Sequence, residues 1–158
     1  ANFLSWYVKL GDPRWDDSPF TYDGHLFTGR MWFRRRQYFG LTDAQMNERN
    51  AQGDDCRIRQ DASVGNNATS WEDVPESNRS KYFCIMALGY YDSGGQLHMG
   101  DAYEGRYWTS TCVTNSPGEG PYWAYYLLIR RNFVGVYGGL RNTEAVKLYG
   151  YQLWPGEN

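Results

Sequence analysis

The residues of this chain that could do catalytic chemistry form no recognised catalytic motif. His25 and His98 are the only histidines, and neither lies in a metal-binding spacing or beside a serine or cysteine. The sequence contains no nucleophile elbow, and its glycines are spread through turns, which is not the pattern of a phosphate-binding loop. The carboxylate pairs Asp16–Asp17, Glu72–Asp73 and Asp101 with Glu104 could serve a glycosidase, but loop carboxylates of this kind are usually only solvated. The sequence therefore favours a non-catalytic protein that needs no cofactor.

The cysteines and the acidic loop residues give no metal signature. The three cysteines, at positions 56, 84 and 112, form neither a metal-binding spacing nor a C-x-x-C motif. Cys84 and Cys112 lie in predicted strands and are the favoured pair if a disulfide forms, whereas the alternative is three small, unpaired buried residues. Asp54, Asp55 and Asp61 could ligate calcium, but no loop has the full oxygen-ligand spacing of a calcium motif. We therefore predict no metal site.

Composition indicates one globular domain with a large supply of aromatic rings. The chain has 158 residues, of which 22% are charged and 41% hydrophobic. Its net charge of -2 argues against a nucleic-acid partner, which requires a basic surface, and its apolar runs are too short to span a bilayer. Seven Trp, fourteen Tyr, seven Phe and eighteen Gly suit a twisted, β-rich domain and also a binding surface.

The first forty residues predict two strands. Residues 2–10, N-F-L-S-W-Y-V-K-L, read as an opening strand that Gly11, Asp12 and Pro13 end. Leu26 to Phe33 is the second strand, and it continues into Arg34–Arg36. The four arginines between positions 30 and 36 could mark an anion site, but neighbours on a strand point to opposite faces. We favour a solvated edge whose charges block aberrant pairing.

A helix and a long polar segment follow. Leu41 to Gln52 is the best helix of the sequence, because Thr42 is a natural N-cap, Gln45 occupies the capping-box position and Gly53 closes it. Residues 53–80 are polar and read as a loop. Loops of that length are usually functional or mobile.

The second half of the chain alternates aromatic and β-branched runs with turn residues, which is typical of antiparallel strands joined by hairpins. Lys81 to Tyr91 is apolar on both faces and predicts a buried central strand. Asp92 to Gly95 is a turn, and Arg106 to Val113 is a strand. Further strands are expected in Y-W-A-Y-Y-L-L-I, F-V-G-V-Y and V-K-L-Y-G-Y-Q-L-W, which all lie within Gly105–Trp154.

Four short motifs follow one another in this half, and their order is informative. They are G-Y-Y at 89–91, Y-W-T-S-T at 107–111, A-Y-Y-L at 124–127 and G-Y-Q-L-W at 150–154. This order resembles the major paralogous domain first described in Fibrobacter succinogenes, in which a G-Y-R-like strand end leads to Y-W-S-S-T, an A-Y-x-L strand and a closing G-F-S-V-R strand. The first 80 residues match only loosely, because they lack the L-P-T-x-x-E-W-like helix signature of that family.

The resemblance implies a single C-type-lectin-like domain over residues 1–158. Its fold class would be α+β, with twisted antiparallel sheets, one or two short flanking helices and long loops. Variable proteins of diversity-generating retroelements and adhesive fimbrial tip domains are similar. The implied function is non-catalytic ligand binding by an extracellular or cell-surface protein, either a pilus-tip adhesin or a retroelement-diversified binding protein. Its partner would be a protein or a glycan.

The resemblance implies that the residues of recognition are displayed on the last strands and the loops between them. Arg, Tyr and Asn at those positions suit a binding surface. The candidate ligand-binding residues are Arg130, Arg131, Asn132, Tyr137, Leu140, Arg141 and Asn142. The polar segment 53–80 could form a second wall. The alternative is an ordinary hairpin turn and surface loop. Trp108, beside the hydroxyl residues Ser110 and Thr111, is expected to be part of the scaffold.

Two other functions remain open. Formylglycine-generating enzymes resemble this fold superfamily and use a cysteine pair, which here would be Cys84 and Cys112. Burial of these thiols would count against that function, because a reactive thiol must be accessible and partly ionised. The E-P-N-like and W-N-D-like calcium–sugar signatures of true C-type lectins are absent, so a sugar-binding form would be a calcium-independent lectin.

Overall fold

The fold is mixed α+β, mostly sheet with a few short helices. The computed structural model describes residues 1–59, 61–98, 104–113, 123–138 and 149–153. Within them lie a four-stranded sheet, a five-stranded sheet and two small hairpins. No helix of the described residues is long and apolar enough to cross a membrane.

The chain opens with helix α1 (Asn2–Leu10), so the strand predicted for residues 2–10 is wrong. Its aromatic and β-branched composition favours a strand. Burial follows the helical period instead, because Leu4, Tyr7 and Val8 face the core at spacings of three and four residues. The ring of Tyr7 packs edge-on against Phe83 at 5.5 Å, and this tertiary contact outweighs local propensity.

The second helix, α2 (Asp43–Glu48), lies within the range predicted from Leu41 to Gln52. Its capping box is confirmed: the Gln45 amide donates to Thr42 Oγ1 at 3.2 Å, and the Thr42 amide donates to Gln45 Oε1 at 2.9 Å. The helix is shorter than predicted because Arg49 is already extended, at φ -141° and ψ 155°.

The four-stranded sheet has the order β6-β1-β4-β7. Its strands are β1 (Arg14–Asp16), β4 (Arg30–Arg34), β6 (Thr69–Ser70) and β7 (Tyr82–Met86). β4 pairs antiparallel with both β1 and β7, so the arginine-rich edge predicted there is wrong. The arginines are accommodated inside the sheet because they have partners: Arg30 bonds Asp16, and Arg34 donates to the Leu10 carbonyl at 2.8 Å.

β7 is also placed differently from the prediction. Lys81 to Tyr91 was expected as one central strand, but β7 pairs only with β4 among the described residues and ends at Met86. Two hairpins lie outside the two large sheets. They are formed by β2 (Phe20–Tyr22) with β3 (His25–Phe27), and by β8 (Tyr90–Tyr91) with β9 (Leu97–His98) around the predicted turn. The strand predicted from Leu26 to Phe33 is interrupted at Gly29, whose φ of 92° favours glycine.

The five-stranded sheet has the order β13-β10-β11-β12-β5. It confirms the antiparallel pairing expected among the strands at 105–113, 123–130 and 133–137, whereas the last strand is parallel to its neighbour. Its strands are β5 (Val64–Asn67), β10 (Gly105–Val113), β11 (Trp123–Arg130), β12 (Phe133–Tyr137) and β13 (Gln152–Leu153). All neighbours are antiparallel except β13 and β10. The segment 53–80 is not one loop, since it contains β5, β6 and two 3-10 helices, Trp71–Asp73 and Glu76–Lys81.

The main core lies where α1 meets the inner faces of both sheets. Its members are apolar residues from α1, β4, β11 and β12 that are almost fully buried: Tyr7, Val8, Met31, Phe33, Tyr125, Leu127, Ile129, Val134 and Val136. β5 and β6 follow each other in one continuous segment, so residues 64–70 run from the five-stranded sheet to the four-stranded sheet. This crossing sets the geometry of the candidate site.

Candidate functional site

The turn between β11 and β12 sends its two arginines to different places. Arg130 donates from Nε to Glu104 Oε2 at 2.6 Å. Arg131 donates from Nε to Asp17 Oδ2 at 3.0 Å, and its Nη2 bonds the same oxygen. Asp17 follows β1, so this ion pair joins the hairpin of one sheet to a strand end of the other. Both of its side chains are exposed, Arg131 by 56% and Asp17 by 43%.

The partner of Arg130 belongs to a buried network on the outer face of the five-stranded sheet. Glu104 is 6% exposed and Arg106 only 2%. Arg106 bonds Glu104 through Nε, donates to the Tyr151 hydroxyl at 2.7 Å and stacks over the Tyr90 ring at 3.8 Å. Burial alone would lower the pKa of Arg106, but its bonds to Glu104 and Tyr151 raise that pKa above its usual value. This network is part of the scaffold.

Around Arg131 lies a cleft of about 370 Å³, which we call the polar cleft. Three pieces of chain form it: the end of β1, the crossing segment with the turn after it, and the β11–β12 turn. Its lining residues are Trp15, Asp16, Asp17, Ser18, Ala68, Thr69, Ser70, Trp71, Glu72, Arg131 and Asn132. The volume falls in the range of small-ligand sites, roughly 300–1,000 Å³.

The walls of the polar cleft are fixed by hydrogen bonds. The Ala68 amide donates to the Asn132 carbonyl at 3.2 Å, which ties the crossing segment to the turn. Trp15 Nε1 donates to Asp17 Oδ1 at 2.6 Å. Because Asp17 receives bonds from both Trp15 and Arg131, its carboxylate is held at the mouth of the cleft.

The neighbouring carboxylate, Asp16, is buried and fully engaged. It accepts from Arg30 Nη2 at 2.7 Å, from Trp32 Nε1 at 3.0 Å and from the Ser18 amide at 2.8 Å. Burial alone would raise the pKa of Asp16, but the bonds from Trp32 and Ser18 and the charge of Arg30 hold that pKa below its usual value. Of the two adjacent carboxylates, Asp17 is therefore the one available to a ligand.

Indole rings support the wall that Trp71 contributes. Trp71 stacks on Trp32 with ring centroids 4.2 Å apart and an interplanar angle of 15°. The Arg79 guanidinium lies 5.4 Å from the centroid of the Trp71 ring. Stacked and cation–π contacts of this kind restrict ring movement and add stability.

Of the remaining predicted residues that the structure describes, Arg130 and Tyr137 do not line the polar cleft. Tyr137 lies at the opposite end of β12 from the turn and is half-buried against Tyr126 and Phe133, with centroids 6.2 and 6.0 Å away. Gly135 makes room for these rings, since a Cβ there would lie 2.6 Å from the Tyr137 ring. Burial raises the pKa of Tyr137. Leu140, Arg141 and Asn142 lie outside the described residues.

A second, larger depression lies beside β10 and has a volume of about 890 Å³; we call it the apolar groove. Its lining residues are Ala1, Asn2, Phe3, Leu4, Asn47, Arg57, Trp108, Thr109, Ser110, Thr111, Cys112 and Leu153. The Y-W-T-S-T motif supplies its wall through a bulge, because the register with β11 shifts between Trp108 and Cys112. Thr109 supports this bulge by accepting from the Thr111 amide at 3.1 Å.

Trp108 stacks on Tyr151 with centroids 4.4 Å apart, so it packs within the sheet's aromatic cluster as well as lining the groove. The Thr111 hydroxyl accepts from the Ala1 nitrogen at 2.6 Å.

All three cysteines lie in the described part of the chain and are free thiols, so the predicted Cys84–Cys112 pair is not formed. Cys84 belongs to the four-stranded sheet, whereas Cys112 lines the apolar groove on the five-stranded sheet. Burial raises the pKa of Cys84, which keeps its thiol protonated. Among the described residues, no group of three or more His, Cys, Asp or Glu side chains could hold a metal ion.

Sequence reasoning placed Arg131 and Asn132 among the candidate ligand-binding residues, but it considered Asp17 only as half of a carboxylate pair and did not associate the indole rings with it. The weak signal was the W-D-D piece at the end of β1, where an exposed carboxylate follows a buried tryptophan. Comparison of the chain with protein-family models, with curated proteins and with solved structures gives no match.

Proposed function

We propose that this chain is a non-catalytic ligand-binding domain whose binding site is the polar cleft. One observation carries the proposal: Arg131 and Asn132, which turn chemistry marks as recognition residues, line one cleft with Asp17 and with residues 68–72 of the polar segment. Charged and amide groups are thus held together in a small concave site, which is the usual form of a binding site.

The arrangement favours binding because it is formed before a ligand arrives. Asp17 is held by Trp15 and Arg131, and the turn is held by the Ala68 amide. A site whose side chains are already fixed loses less conformational entropy when it binds. The two large sheets of the α+β fold supply the rigid scaffold.

The proposed biological setting is that of the C-type-lectin-like proteins. In that setting the chain is a cell-surface or pilus-tip adhesin or a retroelement-diversified binding protein, and it acts outside the cell. The resemblance of residues 84–154 to the Fibrobacter domain supports this setting, as do the antiparallel neighbours β10 and β11, which carry the Y-W-T-S-T and A-Y-Y-L pieces.

A calcium-independent lectin is the second candidate, and the Asp17–Arg131 pair favours it. A sugar hydroxyl both donates and accepts hydrogen bonds, whereas a carboxylate only accepts and a guanidinium only donates. The exposed Asp17 and Arg131 present both functions side by side at the mouth of the cleft. The cysteine-dependent enzyme has no comparable support, because Cys84 and Cys112 lie on different sheets.

Binding measurements on a glycan array and a panel of cell-surface proteins test the proposal. Wild type, Arg131→Ala and Arg36→Ala are compared with and without EDTA. Arg36 is the matched control, since it is an exposed arginine that pairs with Asp43 at 2.9 Å outside the polar cleft. We expect Arg131→Ala to weaken binding at least about tenfold and Arg36→Ala to leave it unchanged.

The outcomes separate the parts of the proposal. Binding that survives both Arg131→Ala and Asn132→Ala would show that the site lies elsewhere. Binding of a protein but of no glycan would remove the lectin candidate and leave the binding domain. Absence of binding in both panels would contradict the function itself.

A further inference from the structure

A third concave site of about 460 Å³ lies where the end of α1 meets β4 and the crossing segment; we call it the basic depression. Its lining residues are Lys9, Leu10, Asp12, Pro13, Arg34, Asn66, Asn67 and Thr69. The volume falls within the range of small-ligand sites, roughly 300–1,000 Å³. Of the described lining residues, Thr69 alone is shared with the polar cleft, so the two sites are separate.

Two cationic side chains of the basic depression have no carboxylate partner in the described part of the chain. Lys9 is exposed and Arg34 is half-buried, and neither forms an ion pair there. The acid of the described lining, Asp12, is already bonded, because Arg14 Nε donates to it at 3.1 Å and the Tyr82 hydroxyl donates to it at 2.6 Å. The basic depression therefore presents uncompensated positive charge.

The guanidinium of Arg34 has hydrogen-bonding capacity that the fold does not use. Its Nη2 donates to the Leu10 carbonyl at 2.8 Å. Its Nε is buried and has no hydrogen-bond partner among the described residues. An arginine side chain carries five N–H donors, and a buried donor without an acceptor is costly. Such a group calls for a physical explanation, and a bound ion is one of the ordinary explanations.

The need to cap α1 accounts for only part of this arrangement. Three donors bond the last carbonyls of the helix: the Gly11 amide on Tyr7, Asn66 Nδ2 on Val8 and Arg34 Nη2 on Leu10. Cations near a helix C-terminus also interact favourably with the helix dipole, but that dipole is equivalent to only about half an elementary charge. Lys9 and Arg34 carry two positive charges between them, so positive charge remains for a ligand.

The sequence allows an anion site among the arginines between positions 30 and 36. We propose that Arg34 forms such a site with Lys9, and that the basic depression binds the oxyanion of a small ligand: a carboxylate, sulfate or phosphate group. Guanidinium and ammonium groups donate the strong, charge-assisted bonds that these groups accept. The exposed Asn67 side chain offers an uncharged amide to the rest of the ligand. A cation would be repelled, and a neutral ligand would leave both charges uncompensated.

NMR titration of the full chain with four related sugars tests this inference. Glucuronate, glucose 6-sulfate and glucose 6-phosphate differ from glucose in the group on one carbon, so glucose is the neutral control and the three anions distinguish the possible oxyanions. We expect at least one anion to bind with a Kd below about 10 mM and to shift the amide signals of residues 66–69, which glucose leaves in place. Binding should weaken as NaCl is added, because salt screens exposed charges.

Lys9→Gln and Arg36→Gln are the matched variants, since each removes one positive charge from an exposed side chain and Arg36 pairs with Asp43 outside the basic depression. We expect Lys9→Gln to weaken anion binding at least about threefold and Arg36→Gln to leave it unchanged. Arg34→Lys retains the charge but loses the forked donor geometry, and should weaken binding at least about tenfold. Its thermal unfolding temperature checks that the variant is folded.

Two results would overturn the inference: no anion binds more tightly than glucose, or Lys9→Gln binds the anions as well as the wild type does. Arg34 would then serve only as a cap of α1. Arg131→Ala should bind the anions like the wild type, which separates the basic depression from the polar cleft and makes this inference independent of the function proposed there.

Discussion

Arg130 and Arg131 are neighbours in one turn, yet they belong to regions with opposite properties. Arg130 reaches Glu104, which is buried together with Arg106 on the outer face of the five-stranded sheet. Arg131 reaches Asp17 at the mouth of the polar cleft, where both side chains are exposed. Both arginines are partly exposed, Arg130 by 43% and Arg131 by 56%, so burial of the partner carboxylate distinguishes the scaffold from the candidate binding site.

The loss of stability on removing one partner of an ion pair also differs between the two regions. Removing one partner of a buried ion pair leaves an uncompensated charge and costs about 3–5 kcal/mol. An exposed pair contributes only about 0–1 kcal/mol, because water solvates both groups once they separate. The Asp17–Arg131 pair can therefore exchange its mutual bonds for bonds to a ligand, whereas the Glu104–Arg106 pair cannot be opened without loss of stability.

The largest expected effect comes from the buried network. Glu104→Ala leaves Arg106 without its carboxylate at a site where Arg106 is only 2% exposed. We expect the free energy of unfolding to fall by about 3–5 kcal/mol, measured by urea denaturation. The double variant Glu104→Leu/Arg106→Met should recover part of this loss, because it leaves no unpaired buried charge. A loss below about 1 kcal/mol for the single variant would contradict the contrast between the two regions.

An intermediate loss of stability is expected from substitution of Asp16. Within the polar cleft, this buried carboxylate and the exposed Asp17 show the same contrast as the two regions. Asp16→Asn weakens the bonds from Arg30 and Trp32, and we expect a loss of about 1.5–3 kcal/mol in the free energy of unfolding. Asp17→Asn is the matched control and should cost no more than about 1 kcal/mol, since its carboxylate is 43% exposed. Equal losses for the two variants would remove the distinction between them.

The same residue predicts a pH dependence. Because the folded-state pKa of Asp16 lies below its usual value, its ionised form contributes stability that is fully present above about pH 4 and is lost as the pH falls through the folded pKa. Lowering the pH below about 4 should therefore lower the thermal unfolding temperature of the wild type more than that of Asp16→Asn. If the unfolding temperatures of the two proteins fall equally as the pH is lowered, Asp16 is not the group responsible for the loss of stability.

The sequence predicted the strands of the second half well because they are set locally. β10, β11 and β12 are aromatic or β-branched runs bounded by turn residues, and the Arg131–Asn132 turn follows from that pattern. Helix α1 was missed because its identity depends on which side chains the two sheets bury. The arginines of β4 were assigned to an edge because their partners belong to other elements: Arg30 bonds Asp16 of β1, and Arg34 bonds the Leu10 carbonyl of α1.

The candidate site shows the same limit. The turn residues Arg131 and Asn132 could be proposed from their chemistry and position. Asp17 was noted only as part of a carboxylate pair and could not be associated with that turn, since it lies 114 residues from Arg131 in the sequence. Only the packing of the two sheets, joined by the crossing segment between β5 and β6, brings the three residues into one cleft.

The smallest expected change in stability is the most informative about function. Arg131→Ala removes an exposed ion pair, so the free energy of unfolding should change by no more than about 1 kcal/mol, as for Arg36→Ala. If Arg131→Ala weakens ligand binding at unchanged stability, the loss belongs to recognition and not to folding. If Arg131→Ala destabilises the protein as strongly as Glu104→Ala does, the Asp17–Arg131 pair holds the two sheets together. The polar cleft would then have a structural role and would not be a binding site.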